Sequence, residues 1–187
     1  MMTSVYFTGY KPFELNIFKN EQPEVKVIKA YLKEIIEQEI EEGMEWVIIS
    51  GQLGFELWAA EVTIEMKNKH PQLKLAILTP FLNHYNKWNE TNQQAYHNIV
   101  TQADYVNAIH QSDYQGGFQF QQANEFILDN TDKTILFYDD EQEASPKYFK
   151  SKLVDFAEKT NYTYNVITFM DLQDFMEFNY NNDNESY

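Results

Sequence analysis

Val47-Ile48-Ile49-Ser50-Gly51-Gln52-Leu53-Gly54-Phe55-Glu56-Leu57-Trp58 is a short apolar run that breaks at a glycine turn and restarts with the spacing of an amphipathic helix. A strand that feeds a helix through such a turn leaves main-chain N–H groups aimed at the helix start, where the dipole also favours negative charge. The turn therefore reads either as a phosphate cradle or as a plain strand-to-helix connection. No Gly-Lys-Ser/Thr follows it, and the G-x-G-x-x-G spacing of a dinucleotide fingerprint is incomplete.

Outward from this stretch the same alternation repeats. Ser4–Thr8 is β-branched and aromatic and predicts a strand ending at Gly9, with a loop through Pro12 after it. Val25, Ile28, Leu32, Ile35, Ile36 and Ile40 fall on one helical face and predict a helix over 23–42, closed by Gly43. Strand two is expected at 45–50, and helix two at 53–68, where His70-Pro71 stops it. Further strands are predicted at 73–79, 104–109, 134–138 and 164–169, and helices at 91–102, 118–128 and 171–178. One more helix opens at Ser145-Pro146-Lys147, with serine as N-cap and proline in the first turn, and runs to Lys159. Six alternations predict an α/β fold: a single-domain open parallel sheet with helices on both faces. The domain spans 1–178, and the polar tail 179–187 is expected to be disordered.

Composition narrows the function. The 187 residues are 43% hydrophobic and 16% aromatic, enough for one sizeable core. The net charge is -15, all cationic side chains are lysine, and arginine is absent. Such a surface repels long nucleic acid, which needs a positive footprint. Without arginine, an anion has to be held by main-chain N–H groups, hydroxyls, amides and a few lysines. Cysteine is absent, so disulfides and thiolate chemistry are excluded. The four histidines do not pair at i, i+4, and the acidic run Asp139–Glu143 reads as a solvated loop, so no metal is expected. The amino terminus has neither a basic segment nor a long apolar one, which predicts a cytoplasmic protein without membrane insertion.

In an open parallel sheet, ligands bind outside the carboxyl ends of the strands. Gly9, Gly51, Gly54 and Ser145 all belong to that edge. The candidates for binding are Gly9, Tyr10 and Lys11 after strand one, Ser50, Gly51, Gln52, Gly54 and Glu56 at the glycine turn, and Ser145 and Lys147. Lys11 is either an anion contact or a solvated lysine. Glu56 is either a ribose-hydroxyl acceptor, and the catalytic group if there is one, or a first-turn carboxylate complementing the dipole. The irregular segment 80–90 reads as a binding lid in which Phe81 or Trp88 stacks on a base. The alternative is that Trp88 staples the loop to the body.

Thr8-Gly9-Tyr10-Lys11-Pro12-Phe13-Glu14-Leu15, the Ser50–Glu61 stretch, Thr79-Pro80-Phe81, Gln102-Ala103-Asp104-Tyr105 and Ser145-Pro146-Lys147-Tyr148 together closely resemble the YpsA family of Gram-positive bacteria. The resemblance covers nearly the whole chain except the tail. It implies a Rossmann-like domain of the SLOG superfamily, related to DprA and to the LOG phosphoribohydrolases, with a nucleotide-derived ligand such as ADP-ribose or an NAD-like compound. It also implies an association with cell division, and hence a cell-division protein as partner. The family's ligand motif falls on Gly51, Gln52, Gly54 and Glu56, and its first-strand loop on Gly9, Tyr10 and Lys11. Gln52 and Phe55 interrupt the LOG pattern and its arginine is missing, so the resemblance implies a sensor or regulator more than an enzyme. A phosphoribohydrolase-like activity on N-glycosidic bonds and a protein-interaction adaptor are the alternatives.

Overall fold

The computed structural model describes residues 3–184, with side chains through Asn179. In chain order the elements are β1 (Thr3–Gly9), a 3-10 turn (Pro12–Leu15), α1 (Pro23–Glu41), β2 (Met44–Ile49), α2 (Phe55–Met66), β3 (Lys74–Phe81), α3 (Glu90–Val100), β4 (Tyr105–His110), α4 (Phe118–Asp129), β5 (Lys133–Phe137), α5 (Pro146–Lys159), β6 (Thr163–Ile167) and α6 (Phe169–Asn184). The six strands form one parallel sheet in the order β4-β3-β2-β1-β5-β6. This is the predicted α/β arrangement. Helix α1 packs on α2 and α6, and α2 on α3, on one side of the sheet. Helices α4 and α5 touch each other on the other side.

Central strands buried on both faces need apolar middles, and these have them. Val5 and Phe7 of β1, Val47 and Ile49 of β2, Leu75 and Ile77 of β3, and Ile135 and Leu136 of β5 are almost wholly enclosed. The sequence order runs outward from β1 to β4 on one side, then jumps back to β5 and β6 on the other. The connections leaving β1 and β5 therefore diverge, and a crevice opens between them at the carboxyl edge.

Several boundaries differ from expectation for local reasons. Helix α2 starts at Phe55 rather than Leu53, because Gly54 has φ +91° and cannot continue a helix backward. A Cβ on Gly54 would lie 2.5 Å from the Tyr10 carbonyl oxygen, so the turn is pressed against the loop after β1. Strand β3 continues through Pro80 to Phe81, which shortens the irregular segment that follows. The last helix, predicted over 171–178, begins at Phe169, where the Thr168 amide and hydroxyl both donate to Asp171 Oδ2 at 2.7 and 2.8 Å. It runs on to Asn184, into the stretch expected to be disordered. Residues 185–187 of that stretch lie outside the described residues. Among the described residues, no helix is long and apolar enough to cross a membrane.

Candidate functional site

A cleft of about 380 Å³ opens over the carboxyl ends of β1 and β2 and the start of α5. Its floor is Tyr6, Thr8 and Gly9 from β1 with Ser50, Gln52 and Glu56 from the glycine turn. Its far wall is Ser145, Pro146, Tyr148 and Phe149 from the α5 start with Phe120 and Asn124 from α4. Lys11 is the one cation among these lining residues and Glu56 the one anion.

Glu56 dominates the floor. It is 2% exposed, and each carboxylate oxygen accepts at least two hydrogen bonds. Oε1 takes the Tyr6 hydroxyl at 3.0 Å and the Ser50 hydroxyl at 2.9 Å. Oε2 takes the Ser50 amide at 3.1 Å, the Gln52 amide at 2.8 Å and the shared Ser50 hydroxyl at 2.9 Å. Burial raises its pKa against the pull of these donors, none of which is cationic. Burial beside the Glu56 carboxylate raises the Tyr6 phenol well above its ordinary value, so the phenol stays protonated and donates.

The expected phosphate cradle is thus corrected. The Ser50 and Gln52 amides that a strand-to-helix turn offers to an anion are turned onto the protein's own carboxylate. A second internal carboxylate does the same across the cleft. Glu14 accepts the Lys11 amide at 2.7 Å and the Ser145 amide at 2.8 Å, tying the β1 loop to the start of α5. Ser145 itself lies in helical conformation and its side chain caps nothing; the Lys147 amide donates instead to the Ala144 carbonyl at 3.1 Å. Sequence reasoning assigned Glu14 no role; its spacing of three after Lys11 is the signal, since a carboxylate there reaches back to the Lys11 amide while its own amide donates to the Lys11 carbonyl.

Of the sequence candidates, Gly9, Lys11, Ser50, Gln52, Glu56 and Ser145 line the cleft. The others stand outside its walls. Tyr10 is fully buried beneath the β5 end, where its hydroxyl donates to the Gln142 carbonyl at 2.7 Å and accepts the Asp139 amide at 2.8 Å, and its ring stacks on Phe169. Burial raises that phenol to about 12. Gly51, with φ +83°, backs onto His84 and Tyr96 rather than the cleft. Gly54 serves the contact with Tyr10 already described. Lys147 turns outward to Glu143 Oε2 at 3.0 Å.

The loop aromatics are corrected as well. Phe81 is a buried strand residue against Tyr114 and Phe120. Trp88 packs on His84 and Tyr96, and the His84 ring bonds the Gly51 carbonyl at 2.9 Å. Burial keeps His84 below its ordinary pKa, in the neutral form. The loop is stapled down. The exposed aromatics at the cleft are instead Tyr148, 73% exposed, and Phe120. Tyr148 was signalled by its place in the first turn of α5, and Phe120 carried no signal in one dimension.

The chain's relatives agree in extent with this fold. The family model YpsA, described as the YspA SLOG family, matches residues 5–172, from β1 into α6. The sequence is 54% identical over 176 residues to a UPF0398 protein of Staphylococcus epidermidis, covering 94% of each chain. It is 56% identical over 175 residues to a UPF0398 protein of Macrococcus caseolyticus, covering 94% of this chain and 95% of the other. A UPF0398 protein of Staphylococcus aureus is 55% identical over 176 residues, again with 94% of each chain covered.

Proposed function

Since the chain belongs to the YspA SLOG family, we propose that the cleft over β1 and β2 binds a small nucleotide-derived ligand, of the ADP-ribose or NAD type, and that the protein senses it rather than transforming it. The observation that carries the reading is the pairing of a polar floor with an exposed aromatic rim at the switch point of a parallel sheet. Tyr148 and Phe120 supply stacking surfaces for a base. Lys11 supplies the positive charge for a phosphate, and Gln52, Asn124 and Ser145 supply hydrogen-bonding groups for a sugar.

Binding is favoured over catalysis by the state of Glu56. Both of its oxygens are already occupied by protein donors, so it has no lone pair free to orient an attacking water. The raised pKa of the same group supports hydrolysis of an N-glycosidic bond as the second reading, with Glu56 as a proton donor. A role linked to cell division rests on the family resemblance alone.

A thermal-shift panel tests the proposal. At a hundred times its dissociation constant, a ligand adds about 2.7 kcal/mol, which is roughly 5–10 °C in Tm for a chain of this size. ADP-ribose, NAD or a mononucleotide should give such a shift in the wild type and lose most of it in Tyr148→Ala and Lys11→Ala. No shift with any of them, or equal shifts in the variants, overturns it. Release of free base during incubation would select the hydrolase reading.

A further inference from the structure

We propose that the ligand of the cleft has two halves, and that its second sugar passes Tyr148 and lies in a groove between α4 and α5, an inference that stands only if the cleft itself takes a nucleotide-derived ligand. The cleft is equipped for one half of such a molecule. Lys11 is its one cation, and its volume of about 380 Å³ lies near the lower end of the roughly 300–1,000 Å³ that small-molecule sites span. ADP-ribose and NAD each carry two sugars joined by a pyrophosphate, so a ligand of that kind needs further room. A groove of about 510 Å³ supplies it. Asn124 of α4 and Tyr148 of α5 line both cavities, so the groove begins where the far wall of the cleft ends.

The chemistry of the groove selects the group that fits it. Both of its charged side chains are already paired with neighbours: Lys152 Nζ meets Glu125 Oε1 at 2.6 Å, and Asp155 Oδ2 meets Lys159 Nζ at 2.8 Å. The groove therefore calls for an uncharged group. Its hydrogen-bonding capacity, by contrast, is uncommitted. Gln121, Asn124 and Ser151 line it, and among the described residues their side chains bond no other protein group; the Lys152 ammonium takes the main-chain carbonyl of Gln121, at 3.3 Å. Two amides and a hydroxyl set donors beside acceptors, which matches the adjacent hydroxyls of a sugar, each of them donor and acceptor at once. The exposed Tyr148 ring at the junction gives the same sugar an apolar surface to lie against.

Calorimetric titration of the full chain with AMP, ADP-ribose and NAD tests this. AMP carries a single sugar and needs only the cleft. ADP-ribose or NAD should bind at least about tenfold more tightly, the worth of one or two added neutral hydrogen bonds. Ser151→Trp sets a large ring in the groove from an exposed position on α5. It should bring the two-sugar ligands back to the AMP level and leave AMP itself unchanged. A misfolded variant would lose AMP as well; Gln121→Ala, which only trims the groove, then decides by weakening the two-sugar ligands alone. Wild-type protein that binds AMP as tightly as ADP-ribose and NAD overturns the inference and leaves the cleft's own ligand standing. So do groove variants that leave the two-sugar ligands unaffected, or a Gln121→Ala that weakens all three alike. Binding of none of the three removes the cleft as a nucleotide site, and the second sugar with it.

Discussion

Among the described residues two glutamates are buried, at opposite ends of the sheet, and the protein treats them differently. Glu39, on the last turn of α1, is 5% exposed and meets the Lys133 ammonium at 2.6 Å where β5 begins, with Glu42 Oε2 3.3 Å from the same nitrogen. Glu56 is buried even more completely but has only neutral donors: a phenol, a hydroxyl and two amides. A buried carboxylate that serves architecture alone is most simply stabilised by a cation, as Glu39 is. The one beside the cleft has no cation to hold its charge. Burial raises its pKa, and perturbed groups of this kind concentrate at functional sites.

The sharpest break in this comparison is Lys133→Met. It strands Glu39 without its cation, and the loss should be about 2–4 kcal/mol, below the full cost of breaking a buried pair because the Lys133 side chain keeps some contact with water. Urea denaturation at neutral pH measures it. The pH sign follows from the lysine, whose folded pKa is held above its ordinary value by the hydrogen bond and charge of Glu39 against the opposing effect of burial. Its stabilisation is complete below about 10.5 and lost as pH climbs through the raised folded value. Between neutrality and pH 9 the wild-type advantage over Lys133→Met should be flat.

Glu56→Gln comes next, at about 1–3 kcal/mol. The substituted amide group turns a donor toward the Ser50 and Gln52 amides and the Tyr6 hydroxyl, which are all donors themselves. Here the pH dependence runs the other way. Because the folded pKa of Glu56 lies above its ordinary value of 4.5, the contribution is fully present below that value and is lost as pH rises through the folded pKa. The wild-type advantage over Glu56→Gln should therefore be largest in acid and shrink on the way up. Equal advantages across that window would place Glu56 in the same class as Glu39.

The contrast also explains what was legible in one dimension. The sheet and its helices could be read because each central strand is buried on both faces and so written as an unbroken apolar run, as in Val47-Ile48-Ile49. The corner at Ser50–Glu56 could be located, since glycine and a first-turn acid mark a strand-to-helix turn. Its wiring could not. Whether the Ser50 and Gln52 amides face a ligand or the Glu56 carboxylate depends on a side-chain rotamer. Glu14 reaches Ser145 across 131 positions of sequence. Trp88 was readable as a lid or as a staple, and the choice depended on His84 and Tyr96, which meet it only once the loop folds back. Tyr148 and Phe120 share the cleft because α4 and α5 pack together on one side of the sheet, a consequence of strand order that local pattern does not carry.

The finest test of the comparison is Tyr6→Phe. The ring stays packed edge-on against Phe149 at 5.5 Å, so the core is nearly unchanged and only the hydroxyl is lost. Removing it costs about 0.5–1.5 kcal/mol, the worth of one buried hydrogen bond. The more telling change is in the titration. Every donor to Glu56 pulls its pKa down against burial, so losing the Tyr6 hydroxyl moves the folded pKa further up. The pH window over which Glu56 withdraws its stabilisation should then shift upward in Tyr6→Phe while the Lys133 window stays in place. A window that does not move would mean that the Ser50 hydroxyl and the two turn amides alone set the state of this carboxylate.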